Sequence, residues 1–137
     1  MRKNLLVLTT AFCLLLLSQH VLAEKDQTMM TRISSDGLYH VTIESWLKPL
    51  RLGRMHAWEA LIKDKDGNPI TGAKIKIGGG MPIHNHGFPT EPIMTQESAP
   101  GTYVLEGFKF SMGGPWVMIL DITSGENTDS VAFDIDM

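Results

Sequence analysis

Cysteine is nearly absent. The 137 residues contain one, Cys13, and it lies in an apolar run close to the N-terminus. From residue 24 onward the chain can form neither a disulfide nor a thiolate metal site. Blue-copper electron transfer, which needs a Cys thiolate, is therefore excluded for that part. An excess of positive charge is missing too, with 12 Lys and Arg against 15 Asp and Glu and a formal net charge of −3. A chain whose main partner is nucleic acid needs a clustered positive surface, so no nucleic acid partner is expected. The length is too short for a scaffold such as the (β/α)8 barrel, at roughly 250 residues, and suits a single domain. Catalytic signatures are lacking as well. There is no Gly-x-Ser-x-Gly elbow and no Ser-His-Asp set. Gly78-Gly79-Gly80 runs into Met81-Pro82 rather than into a phosphate-cradling Gly-Lys. A zinc hydrolase needs three protein ligands and a base, whereas the most obvious histidine pair supplies two. The chain is not expected to be an enzyme.

What is present begins with a leader. Arg2 and Lys3 precede an apolar run from Leu5 to Leu17; Ser18-Gln19-His20 breaks it, and Ala23 is a small residue before Glu24. A positive start, an apolar middle and a small residue at the cut are the form of a secretory signal peptide. Cleavage is expected after Ala23, giving a periplasmic or secreted protein with no membrane span after cleavage. The alternative is a leader kept as an anchor, although the run is short of the roughly 20 residues that span a bilayer. Cys13, with bulky Phe12 before it, reads as filler of the leader.

Residues 24–35 are polar and without period, and read as a loose N-terminal lead. From residue 36 to 137 the pattern is β. Tyr39, Val41 and Ile43 alternate with His40, Thr42 and Glu44. Trp58, Ala60 and Ile62 share one parity ahead of Asp66-Gly67-Asn68-Pro69, a strong turn signal. Ala73, Ile75 and Ile77 alternate with Lys74 and Lys76. Tyr103-Val104-Leu105 and then Phe108 and Phe110 follow a Pro100-Gly101 turn. Trp116 to Leu120 is continuously apolar, and Val131, Phe133 and Ile135 alternate again. With a further strand near Ile93 this makes about seven antiparallel strands. Period-2 alternation buries one face of each, so the expected fold is an all-β, immunoglobulin-like sandwich. Leu47 to Ala60 is the one place where a helix could hide. Trp46, Trp58 and Trp116 read as packing anchors of the core.

One segment departs from this pattern: Gly78-Gly79-Gly80-Met81-Pro82-Ile83-His84-Asn85-His86-Gly87-Phe88-Pro89. The glycines either make a flexible connection or let backbones approach closely. His84 and His86 stand at i and i+2, which share one side of an extended chain, so two imidazoles can reach one point. Imidazole suits copper, zinc, iron and nickel, and a thioether adds a preference for Cu(I). Methionine is abundant, at nine residues. Met112, between the Phe108/Phe110 face and Gly113-Gly114-Pro115, is the expected distant ligand, with Met81 as a fourth candidate. Met94 and His56 are looser candidates. The plain readings are a solvated His-Asn-His turn, Met112 as strand-end filler, Met118 as core, His40 as exposed, and Met29 and Met30 as residues of the lead without a role. Neutral imidazole is the ligand form, so metal affinity is expected to weaken below roughly pH 6.

Three of these stretches together resemble the YtkA-like domain family, which is related to FixH-like proteins. They are Gly80-Met81-Pro82-Ile83-His84-Asn85-His86-Gly87, then Pro100-Gly101-Thr102-Tyr103, then Phe110-Ser111-Met112-Gly113-Gly114-Pro115-Trp116. The family pattern is Met-Pro-x-His-x-His-Gly, Pro-Gly-x-Tyr and Phe-x-Met-x-Gly-x-Trp, and the likeness spans about residues 37–122. The resemblance implies a small exported or membrane-anchored immunoglobulin-like domain linked with copper handling or with assembly of copper enzymes. It carries Met81, His84, His86 and Met112 over as motif positions. The expected cofactor is copper, as Cu(I) or Cu(II), and the expected partner is a copper donor or acceptor protein. The alternative is a non-metal envelope binding module that displays the His loop.

Overall fold

The computed structural model describes residues 26–137. The expected leader, its cleavage point and Cys13 lie outside the described residues. Nine strands follow one another: β1 (Met29–Ile33), β2 (His40–Ser45), β3 (His56–Lys63), β4 (Lys74–Met81), β5 (His86–Gly87), β6 (Ile93–Ala99), β7 (Thr102–Phe108), β8 (Pro115–Ser124) and β9 (Asn127–Asp136). One 3-10 turn, Pro82–His84, precedes β5. All named pairings are antiparallel. They build a five-stranded sheet in the order β1-β2-β3-β7-β6 and a four-stranded sheet in the order β5-β4-β8-β9. This is the immunoglobulin-like β-sandwich the alternation requires.

The seven expected strands are all present. Val41 and Ile43 of β2, Trp58, Ala60 and Ile62 of β3, Trp116, Met118 and Leu120 of β8, and Val131, Phe133 and Ile135 of β9 point into the space between the sheets. Each fully buried large apolar side chain contributes roughly 1.5–3 kcal/mol. β8 lies between β4 and β9, with Trp116, Met118 and Leu120 turned inward and Val117 and Ile119 half-buried on the other face. Residues 47–55 form a connection rather than a helix.

Two expectations change, one strand is added, and the glycine run takes one of its two readings. Met29–Ile33, expected within a loose lead, pairs residue for residue with β2, and Met30 is buried in the core. Its strand character was hidden because only Met30 of β1 points inward, so no alternation shows. The short β5 is the other added strand. The glycine run is not a flexible connection, because Gly78, Gly79 and Gly80 lie within β4 and pair with Ile119, Met118 and Val117. A Cβ on Gly79 would collide with the Val117 carbonyl, so the bare backbone permits close approach of β4 and β8. Trp58 and Trp116 are fully buried anchors, but Trp46 is 57% exposed and anchors nothing.

The Pro-Gly-x-Tyr stretch is structural. Gly101 has φ +71, and a Cβ there would stand 2.8 Å from both the Ile62 carbonyl oxygen and Pro69 Cβ. Two residues on, the buried Tyr103 hydroxyl donates to the Ile70 carbonyl (2.6 Å) and accepts from the Ala73 N–H (2.9 Å). It thereby fastens to β7 the β3–β4 connection, where the chain crosses from one sheet to the other.

Candidate metal centre

The register brings the β2–β3, β4–β5 and β7–β8 connections to one end of the sandwich. Ser45 faces Trp58, His56 faces Phe108, Gly80 faces Val117, and Met81 faces His86. All four expected ligands belong to this end.

His84 and His86 come together. Pro82 starts the 3-10 turn, and Asn85 closes it in the left-handed region at φ 52, a conformation Asn tolerates better than most residues. Chain direction reverses, and the two rings stack nearly parallel, 15° apart with centroids at 6.1 Å. Both side chains are exposed. The His86 Nδ1–H donates to the Gly87 carbonyl (2.8 Å), so the lone pair sits on Nε2. That is the usual arrangement of a metal-binding imidazole, in which one nitrogen is held and the other is offered. Beside the turn lies an open depression of about 330 Å³, lined in part by Gly80, Pro82, Asn85, His86 and Val117.

Met112 joins through Trp116. The Trp116 Nε1–H donates to the Met112 carbonyl (3.0 Å), and the same indole meets the His86 ring edge-on at 5.5 Å. Met112 is 41% exposed. Met81 is placed differently. It is buried, and a Cβ on Gly114 would stand 2.7 Å from its Cε. Met81 thus packs beneath the β7–β8 connection from the core side, and Gly114, at φ +111, makes room for it. This contact links the first and third motif stretches: Gly114 is the glycine of Phe-x-Met-x-Gly-x-Trp, and Met81 is the methionine of Met-Pro-x-His-x-His-Gly.

An aromatic ladder runs inward from the histidines. Trp116 stacks on Phe88 (5.7 Å, 9°) and meets Phe110 at 5.4 Å, and Phe110 in turn lies 5.4 Å from His56. His56 therefore reaches the same end of the sandwich. Its Nδ1–H donates to the Arg54 carbonyl (3.0 Å), while Nε2 is buried without a partner. Burial lowers its pKa below 6.5, against the opposing effect of the Arg54 hydrogen bond. Met94 is half-buried against the core, Met118 is fully buried, and His40 is exposed. Among the described residues no three His, Cys, Asp or Glu side chains gather around one point. The paired imidazole nitrogens suit a borderline cation rather than a hard one.

The fold and this end of it define a small immunoglobulin-like domain that displays a paired-histidine turn over an aromatic core. The sequence profile of the YtkA-like family matches residues 47–121. The chain belongs to the YtkA-like family. The match opens in the β2–β3 connection and closes within β8, so it takes in the His turn, the Tyr103 corner and the Met112–Trp116 stretch. No curated protein and no solved structure matches the chain.

Proposed function

We propose that this domain binds copper outside the cytoplasm and passes it to or from a partner protein, without catalysing a reaction of its own. The stacked, exposed pair of His84 and His86, with the His86 tautomer set by the Gly87 carbonyl, carries this reading. Met112 supplies the thioether from the neighbouring connection. Met81 supports that connection from below and becomes a ligand only if it leaves the core. Two imidazoles and one exposed thioether form a site open on its outer side. An open site favours exchange over permanent retention, because an incoming ligand can bind before an outgoing one leaves. The absence of a thiol from residue 24 onward keeps the site from closing as a disulfide in an oxidising compartment. Assembly of copper enzymes is the process in which such a carrier would serve.

Competition titration with Cu(I) and Cu(II) chelators tests this reading. The unaltered chain should bind one copper in at least one oxidation state. The His84→Ala/His86→Ala chain should bind it at least tenfold more weakly, and Met112→Leu should weaken Cu(I) more than Cu(II). Equal affinity in the unaltered and doubly substituted chains would remove copper from the account and leave the turn as a binding surface for something else.

A further inference from the structure

We propose that the β2–β3 connection seats this domain on an anionic lipid surface. Residues 46–55 read Trp-Leu-Lys-Pro-Leu-Arg-Leu-Gly-Arg-Met: apolar and basic side chains intermingle, and no acid interrupts them. The base of the loop is anchored. Leu50 packs against the core, and the Gly53 N–H donates to the Phe110 carbonyl (2.7 Å). Leu47 is half-buried, but Trp46, Leu52 and Met55 project instead of packing, at 57%, 48% and 61% exposed. Lys48 is paired with Glu44, while Arg51 and Arg54 have no ion-pair partner among the described residues.

The connecting loops also differ in charge between the two ends of the sandwich. The connections at the β2–β3 end (46–55, 82–85, 88–92 and 109–114) hold four basic side chains and one acidic one. Those at the opposite end (34–39, 64–73, 100–101 and 125–126) hold four acidic side chains and one basic one. Acidic groups stand at the β2–β3 end as well, since Asp26 and Asp136 share a depression with Met137 and with Pro49 and Leu50 of the loop, and the cations of the loop without an ion-pair partner among the described residues are Arg51 and Arg54.

The arrangement matches a bilayer surface. Indole rings settle at the headgroup level, aliphatic side chains enter the acyl boundary, and arginines are drawn to anionic headgroups. A protein interface has a different layout, with a contiguous apolar centre inside a polar rim. Here cations alternate with apolar side chains along one projecting loop. Ile83 and Met112 are exposed on other connections at the same end of the sandwich. The proposal stands without any metal at the His turn.

The test uses the full chain with vesicles of phosphatidylcholine alone and of an equimolar phosphatidylcholine–phosphatidylglycerol mixture, each with and without bromine on the acyl chains. The readout is the emission that Trp46→Phe removes. Trp46 emission should shift to the blue and be quenched by bromine on the phosphatidylglycerol vesicles, several-fold more than on phosphatidylcholine. Molar salt should suppress this difference, and Arg51→Glu/Arg54→Glu should cut it about tenfold. These substitutions are all at exposed positions, so circular dichroism should be unchanged. Equal quenching on both vesicle types, or quenching that survives charge reversal, overturns the proposal. So does no quenching on either, which is the result if the loop meets an acidic protein surface instead.

Discussion

His56 lies half-buried between Trp58, Phe108 and Phe110, with its Nε2 sealed from water and unpartnered. A charged ring in that place would lose hydration without gaining a counter-charge, so the neutral form is favoured and the pKa falls below 6.5. The sign of the linkage follows. Above about pH 6.5 the ring is neutral in folded and unfolded chains alike, and its contribution to stability is fully present. As pH drops below that value the unfolded chain takes up the proton first, and stability is lost until the folded pKa is passed. Denaturant midpoints measured between pH 7.5 and pH 5 should fall, and His56→Phe should flatten that part of the curve. An unchanged slope in His56→Phe would place the acid sensitivity elsewhere.

At the scale of the elements, one contact ties the β3–β4 connection to β7 and another sets β4 against β8. Tyr103→Phe leaves the buried Ala73 N–H and Ile70 carbonyl unpaired while conserving the ring. It should cost about 1–3 kcal/mol in chemical denaturation and leave copper affinity unchanged. Gly79→Ala is harsher, since the new methyl meets the Val117 carbonyl and the residue sits at φ +110. Thermal unfolding should show this chain folding poorly or not at all, whereas Ala at Gly72, where a Cβ meets nothing within 4 Å, should cost only the strain of its positive φ. The strands themselves were legible because β2, β3, β8 and β9 bury alternate residues. β1 was not, because one inward methionine makes no pattern, and a two-residue β5 carries no period. Same-side placement of His84 and His86 could be foreseen from their spacing, yet it is achieved by a 3-10 turn and a left-handed Asn85 and not by extended chain. The burial of Met81 had a signal, since counting in twos from Ile75 through Ile77 and Gly79 puts Met81 on the inward face. The glycines concealed it by suggesting that the strand had already ended. Nothing in the spacing could show that Trp46 stays outside while Trp58 and Trp116 go in.

On the scale of the whole molecule, residues from the two ends of the described chain close one flank of the sandwich. The Gln27 side chain donates to the Asp136 carbonyl (2.8 Å) and accepts from the Asp136 N–H (2.6 Å). At the other end of β9, the Asp129 carboxylate accepts the N–H groups of Asp36 and Leu38. Burial raises the Asp129 pKa, but hydrogen bonds from Ser34 and from the backbone of Asp36, Ser130 and Leu38 outweigh it and leave it lowered. On the opposite flank β6 lies beside β4 without a continuous hydrogen-bonded join. β5 covers only Gly80 and Met81 of β4, so Lys74 to Gly79 pair on one side alone, with β8. Exposed Lys74 and Lys76 stand along that unpaired stretch of β4, where their charges discourage a second copy from adding its own strand. Replacing both with valine should leave the isolated fold intact yet make light scattering rise with concentration as chains join rim to rim, so the two lysines guard solubility rather than stability.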